Sequence, residues 1–249
     1  MSLVGPRTPS YAALVTSVRR EGEALLSAAR SDASETPVPT CPGWTIADLA
    51  AHVWQVYANV TLYVSTRATE RAEQLPERPA GDPVELLAGQ LDALVAALSD
   101  CPPDTPIWTW VFDAPDSATF WARRMAHESA VHRFDAQNAR GIREPVDDEL
   151  AGDGIDELID VVAPRIYSRD EVTGPTGTIA LRASDGDSWR LELSPDGVRR
   201  SELVEAPQVT ASGTKSALLL ALYGRVPWTS LELDGDVTLL NQWTACLSF

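Results

Sequence analysis

The sequence is short of several residue types, and each shortage excludes something. Lysine occurs once, at Lys215, so almost all of the 20 basic side chains are arginine. Against 36 acidic residues this leaves a formal net charge of −16, which excludes a general phosphate-backbone binder, because nucleic-acid footprints are basic. Cysteine occurs three times, at Cys41, Cys101 and Cys246, widely spaced and with no CxxC. That gives no disulfide framework, suits a reducing cytoplasm, and reads the three as small buried hydrophobes. No apolar run approaches the roughly 20 residues that span a bilayer. The opening MSLVGPRTPSY has no basic region followed by an apolar stretch, so no signal peptide is expected either. There is no internal repeat or low-complexity tract.

What is present is ordinary globular material. With 249 residues and 44% hydrophobic content the chain can bury a sizeable core in one or two domains. Arginine, alanine and aspartate usage suits a GC-rich genome. Residues 9–30 carry Tyr11, Leu14, Val15, Val18, Leu25 and Leu26 with a helical rhythm. Residues 31–40 then hold two prolines that stop it. A long second helix follows, opened by a capping box of Thr45 and Asp48 and striped by Ile46, Leu49, Val53, Val56, Tyr57, Val60 and Val64. Residues 67–83 read as a loop and residues 84–98 as a third helix, ended by CPPDTP. After the aromatic run IWTWVF, Ser117 opens a fourth helix to about Ala139. Four amphipathic helices predict a bundle.

Beyond Gly141 the texture changes. Residues 147–163 predict one further helix that Pro164 ends or bends. TGTIALRA, SWRLELS and GVRRSELVEA alternate as strands, separated by Ser-Asp-Gly-Asp and Pro-Asp-Gly turn signals. Residues 212–223 read as a helix, WTSLEL as a strand and DVTLLNQWTACL as a closing helix. The fold class is therefore α+β, in two domains that part between residues 141 and 177.

The fourth helix contains an anomaly. Glu128, His132 and Asp135 recur at spacings of four and three, within roughly 60° of one another on a helix. Trp121 and Met125 share that arc, so it faces inward, where charge is costly unless paired or bound to metal. HESAVH is not the zinc-protease motif HExxH: His127 and His132 are five apart and diverge by about 140°. Glu128 and His132 are four apart and can share an ion. A pair is too few for a catalytic zinc, which usually takes three protein ligands. His52, leaning inward on the second helix, is the remaining histidine and the third candidate. The competing reading makes Glu128 a solvated helix salt bridge with Arg124. Asp135 would then support the ligands from behind or pair with Arg133 or Arg143.

These motifs carry a family resemblance. CPGWTIADLAAHVWQV, with Pro42-Gly43-Trp44-Thr45 and His52, and WARRMAHESAVHRFDA resemble the DinB-like bundle of mycothiol-dependent maleylpyruvate isomerase proteins. LLLALYGRVPWTSLELDGD resembles that family's small sterol-carrier-like α+β domain. The resemblance implies a DinB-like four-helix bundle over residues 1–145 and an α+β domain over 146–249. It implies that His52, Glu128 and His132 hold Zn(2+) or another divalent metal, with mycothiol, the low-molecular-weight thiol of actinobacteria, as cosubstrate. Trp44 is a candidate for lining the cofactor pocket, and Arg225 is a candidate for binding substrate carboxylates bidentately.

The resulting expectation is a cytoplasmic, metal-dependent, mycothiol-using S-transferase or isomerase acting on a small electrophilic substrate. Its partners are that electrophile and a low-molecular-weight thiol, not nucleic acid or membrane. Alternatives are maleylpyruvate isomerase proper, or a non-catalytic binder of apolar ligands with a structural metal. Neither the electrophile nor the oligomeric state is encoded in a readable motif.

Overall fold

The computed structural model describes residues 8–30, 33–111, 117–169, 172–202 and 206–247. The chain forms two compact units, one spanning Pro9–Val146 and the other containing Asp147–Phe249. The first is helical and the second is α+β. Among the described residues, no helix is long and apolar enough to cross a membrane.

The helical unit comprises α1 (Tyr11–Ala29), α2 (Ile46–Thr66), α3 (Pro83–Asp100) and α4 (Ala118–Ala139). Each start has a chemical cause. Ser10 Oγ accepts from the Ala13 amide at the head of α1. Thr45 and Asp48 form the expected reciprocal capping box on α2. Asp82 caps α3, with Pro83 at its first turn, where a missing N–H costs nothing. Ser117 occupies the N-cap position of α4 but makes no side-chain cap bond. The Ala118 and Thr119 amides donate instead to the Thr105 and Pro103 carbonyls, so CPPDTP both ends α3 and seats α4.

In this bundle α1 packs on α4 and α3, and α2 packs on the same two helices. Leu14, Val18, Leu25, Ile46, Val53, Leu87, Leu91, Leu94 and Leu98 make a fully buried seam. A buried hydrogen bond sets α2 against α4: Tyr57 Oη lies 2.6 Å from Ser129 Oγ, which itself donates to the Met125 carbonyl at 2.6 Å. With the serine proton spent on that carbonyl, the tyrosine is the donor.

The α+β unit begins with α5 (Asp148–Glu157), a π-helical turn over Leu158–Val162 and α6 (Ala163–Tyr167). The helix expected to end or bend at Pro164 therefore continues past it. Proline supplies no amide for the regular ladder, and the π turn, with the Ala163 amide on the Leu158 carbonyl, absorbs that break. Five strands follow: β1 (Gly177–Ala183), β2 (Ser188–Ser194), β3 (Gly197–Arg200), β4 (Val209–Gly213) and β5 (Glu232–Gly235). The sheet order is β3-β2-β1-β4-β5, antiparallel except for the parallel pair β1 and β4. On β2 the buried Trp189, Leu191 and Leu193 alternate with Ser188, Arg190 and Glu192, as a half-buried strand requires.

Helix α7 (Lys215–Leu222) packs on α5, β1 and β4, and α8 (Thr238–Cys246) buries Leu240 and Trp243. Three sequence expectations are corrected. Residues 209–213 form an unanticipated strand, so the helix expected from residue 212 starts only after Thr214 caps it. The strand expected from Trp228 begins at Glu232, because Pro227 sets a 3-10 turn over Trp228–Ser230. β3 ends at Arg200; residues 203–205 of that expected strand lie outside the described residues, as does Phe112 of the aromatic run.

Candidate metal centre

Three of the sequence-predicted residues come together in the helical unit. His52 on α2 and His132 on α4 both aim Nε2 at the same oxygen of Glu128, Oε1, at 3.4 Å and 3.2 Å. One ligand atom from each residue lies within 4.8 Å of the other two. The imidazoles stand edge to face with centroids 5.1 Å apart. A His/Glu/His donor set with two free nitrogen lone pairs and one carboxylate oxygen suits a divalent ion of the zinc class, with room for an exogenous ligand.

The groups behind these candidate ligands bear on the fit. His132 Nδ1 lies 2.9 Å from Asp135 Oδ2, a fully buried carboxylate. A carboxylate there requires the proton on Nδ1, which turns the Nε2 lone pair toward Glu128 and His52. Asp135 in turn accepts from Thr40 Oγ1 at 2.6 Å and from Cys41 Sγ at 3.5 Å. Asp135 therefore supports His132 from behind. It does not pair with Arg133, whose guanidinium bonds Glu21, Gln137 and the Glu144 and Pro145 carbonyls.

The choice between a metal ligand and a helix salt bridge for Glu128 dissolves on inspection. Arg124 Nη2 donates to Oε2 at 3.1 Å, while Oε1 faces the histidines. Nor is that pair solvated, since the arginine side chain is only 9% exposed. Burial alone raises the carboxyl pKa of Glu128, but His132, His52 and Arg124 outweigh it and hold that pKa well below the usual range. For His132, burial lowers the pKa, yet the Glu128 charge and the Asp135 hydrogen bond push it up to about 9. The same carboxylates that would suit a cation thus also favour the protonated imidazole of His132.

The CPGW segment explains itself locally. The Trp44 amide donates to the Cys41 carbonyl, with Pro42 and a positive-φ Gly43 at the two central positions. That is the arrangement of a type II turn, which needs proline's fixed φ first and glycine's freedom second. The turn delivers Trp44 to His52, centroids 5.0 Å apart, and Thr40 and Cys41 to Asp135. Thr40 and Cys41 were not singled out as site residues beforehand. Their only sequence signal was adjacency to the turn, and Cys41, expected as a buried hydrophobe, is partly exposed, as is Cys246. His127 is buried and joins no candidate ligand group among the described residues. Arg225 lies in the α+β unit just past α7, where Nη1 donates to the Tyr223 carbonyl at 2.8 Å.

Known proteins agree with this architecture. The family model described as the mycothiol maleylpyruvate isomerase N-terminal domain matches residues 15–137, and the MDMPI C-terminal domain model matches residues 149–242. A crystal structure of the mycothiol-dependent maleylpyruvate isomerase superposes with a TM-score of 0.65 at 14% identity, covering 94% of this chain and 98% of that one. The H52A mutant of that isomerase gives 0.65 at 13% identity with the same coverage. At such identity these structures establish the fold. No curated protein sequence matches significantly. Two consecutive domain models spanning nearly the whole chain place this protein in the mycothiol-dependent maleylpyruvate isomerase family.

Proposed function

We propose that this protein is a metal-dependent, mycothiol-using enzyme that transfers the thiol to, or isomerises, a small electrophilic substrate. The observation that carries the reading is the meeting of His52 and His132 on one oxygen of Glu128, in a chain of this family. His52, Glu128 and His132 would hold the ion. A divalent cation bound there would supply one thing: by lowering the cosubstrate thiol's pKa it would let the proton leave to solvent, so that sulfur reacts as the nucleophilic thiolate near neutral pH.

The remaining roles fall to the chain itself. Asp135 holds His132 in the tautomer that presents Nε2, and Thr40 and Cys41 hold Asp135. Trp44 packs against His52, whose side chain is the most exposed of the three ligands at 38%, and so flanks the open side of the set. Sulfur would approach from that side. We assign Arg225 to the substrate carboxylate, which a guanidinium binds through two parallel hydrogen bonds. In the transfer reaction the thiolate forms a carbon–sulfur bond as a leaving group departs. In the isomerisation it adds to an activated double bond and is expelled after rotation. We favour transfer, because nothing in the residues selects maleylpyruvate.

Metal analysis of protein purified without chelators tests the assignment. One equivalent of a divalent ion is expected in the wild type and far less in His52→Ala; equal content in the two would overturn it. Consumption of mycothiol with a chlorinated arene, compared with maleylpyruvate, separates transferase from isomerase. Arg225→Met should raise KM for carboxylate-bearing electrophiles and leave neutral ones unaffected.

A further inference from the structure

We propose that Arg124 is a positioning residue that makes Glu128 offer one oxygen, and not two, to the ion; this rests on the metal reading above. A carboxylate has two equivalent oxygens and can chelate with both. In this structure the two are divided. Arg124 Nη2 takes Oε2 at 3.1 Å, while Oε1 lies 3.4 Å from His52 Nε2 and 3.2 Å from His132 Nε2.

The division is built into α4. Arg124, Glu128, His132 and Asp135 follow one another at spacings of four, four and three, so all four share one helix face. Arg124 locks the carboxylate from the N-terminal side, and Asp135 locks the imidazole from the C-terminal side. The arginine side chain is nearly buried, so solvent screens the contact little. A guanidinium keeps its charge at every accessible pH, and its planar donors keep their direction.

With an ion held there, the consequence would be one direction left for an incoming ligand. A carboxylate free to bind through both oxygens would take up the position that an incoming thiol sulfur needs. By holding Oε2, Arg124 keeps that position for the cosubstrate. Among the described residues His52 has no such hydrogen-bonded lock on its own helix; the rings of Trp44 and His132 lie beside it.

The test uses the full chain loaded with cobalt(II), whose visible bands weaken as coordination number rises. Wild type and Arg124→Met are compared by chelator competition and by the cobalt spectrum, with circular dichroism of the metal-free proteins as the folding control. Arg124→Met should show fainter bands as the released second oxygen joins the ion. It should also bind about tenfold more tightly, since a ligand atom is gained and a neighbouring positive charge lost. Weaker binding with unchanged bands would mark a merely structural arginine and overturn the proposal. Arg124→Lys, which keeps a cationic donor on the same turn, should restore much of both. If Arg124→Met does not fold, Arg124→Gln replaces it, with the same direction expected. Unchanged affinity and spectrum in the folded variant overturn this proposal alone. A wild type that binds no ion overturns the metal reading beneath it.

Discussion

The two units place their charges differently. In the helical unit the charged groups that matter are buried and grouped along α4, where Arg124, His132, Arg133 and Asp135 are each less than a tenth exposed. Each has a partner: Arg124 with Glu128, His132 with Glu128 and Asp135, Arg133 with Glu21. In the α+β unit most ion pairs involve more exposed partners, the exception being buried Asp156, which accepts from Arg200 and from Trp189 Nε1. Lys215 reaches Asp185 and Asp187, which are 50% and 62% exposed, and Arg199 pairs with Glu192 on neighbouring strands. Burying charge is worthwhile only where partners are complete. A helix that concentrates such pairs is built for something other than packing, and α4 is where the candidate metal ligands lie.

The contrast is broken most completely by removing a ligand. His132→Ala should abolish stoichiometric ion binding, a larger loss than the roughly 10–100-fold usual on removing an outer partner, and leaves the Asp135 carboxylate buried without its imidazole. Metal content and chelator competition read this directly; retention of wild-type affinity contradicts the site.

Next in size is the structural pair on the same helix. Arg133 and Glu21 side chains are 4% and 6% exposed, and the arginine's remaining donors bond Gln137 and two carbonyls. Arg133→Ala leaves Glu21 with only the exposed Arg20, 2.9 Å from its other oxygen, and should cost about 3 kcal/mol in denaturant unfolding, the low end for breaking a buried pair. A loss below about 1 kcal/mol would place this pair with the surface bridges of the other unit.

Acidity provides a third handle. The metal-free His132 pKa is raised to about 9 from 6.5, so its stabilisation is fully present below pH 6.5 and fades as pH climbs toward 9. Glu128 is shifted down, so its contribution is present above pH 4.5 and is lost as pH falls through its depressed value. Metal-free thermal stability should therefore be greatest between those limits. An ion must displace the His132 proton, so its affinity should rise about tenfold per pH unit from pH 7 toward 9. A pH-independent affinity would contradict that exchange.

Smaller effects belong to the α+β unit. At Gly235 the φ is positive, and a Cβ would sit 2.1 Å from the Gln208 carbonyl oxygen, across the β4–β5 pairing. Gly235→Ala should destabilise by about 1–3 kcal/mol and leave ion binding by the helical unit intact. Lys215→Met removes the bridges to Asp185 and Asp187 and should cost at most about 1 kcal/mol, since both partners are solvated. Thermal unfolding of the two variants checks the ranking.

Legibility also differed between the units. The four long helices could be read to within two residues, because apolar periodicity and caps such as Thr45 with Asp48 act over a turn or two. Strand β4 could not. Val-Thr-Ala-Ser-Gly is short and built of small residues, and its place depends on parallel pairing with β1, some thirty positions earlier. At the site, Glu128 and His132 were visible from their spacing alone, whereas Thr40 and Cys41 were not, because their partner Asp135 is 94 to 95 positions away.

By itself, then, the sequence determined the long helices, the shared face of Glu128 and His132 on α4 and the family. Only the tertiary structure decided that His52 meets that face, that one oxygen of Glu128 lies near both histidines, and that Asp135 and Arg124 stand behind these candidate ligands. The division is physical. Local elements answer to neighbours within a few residues, but the meeting of α2 and α4 is set by packing and by the Tyr57–Ser129 hydrogen bond, across 72 positions that no periodicity spans.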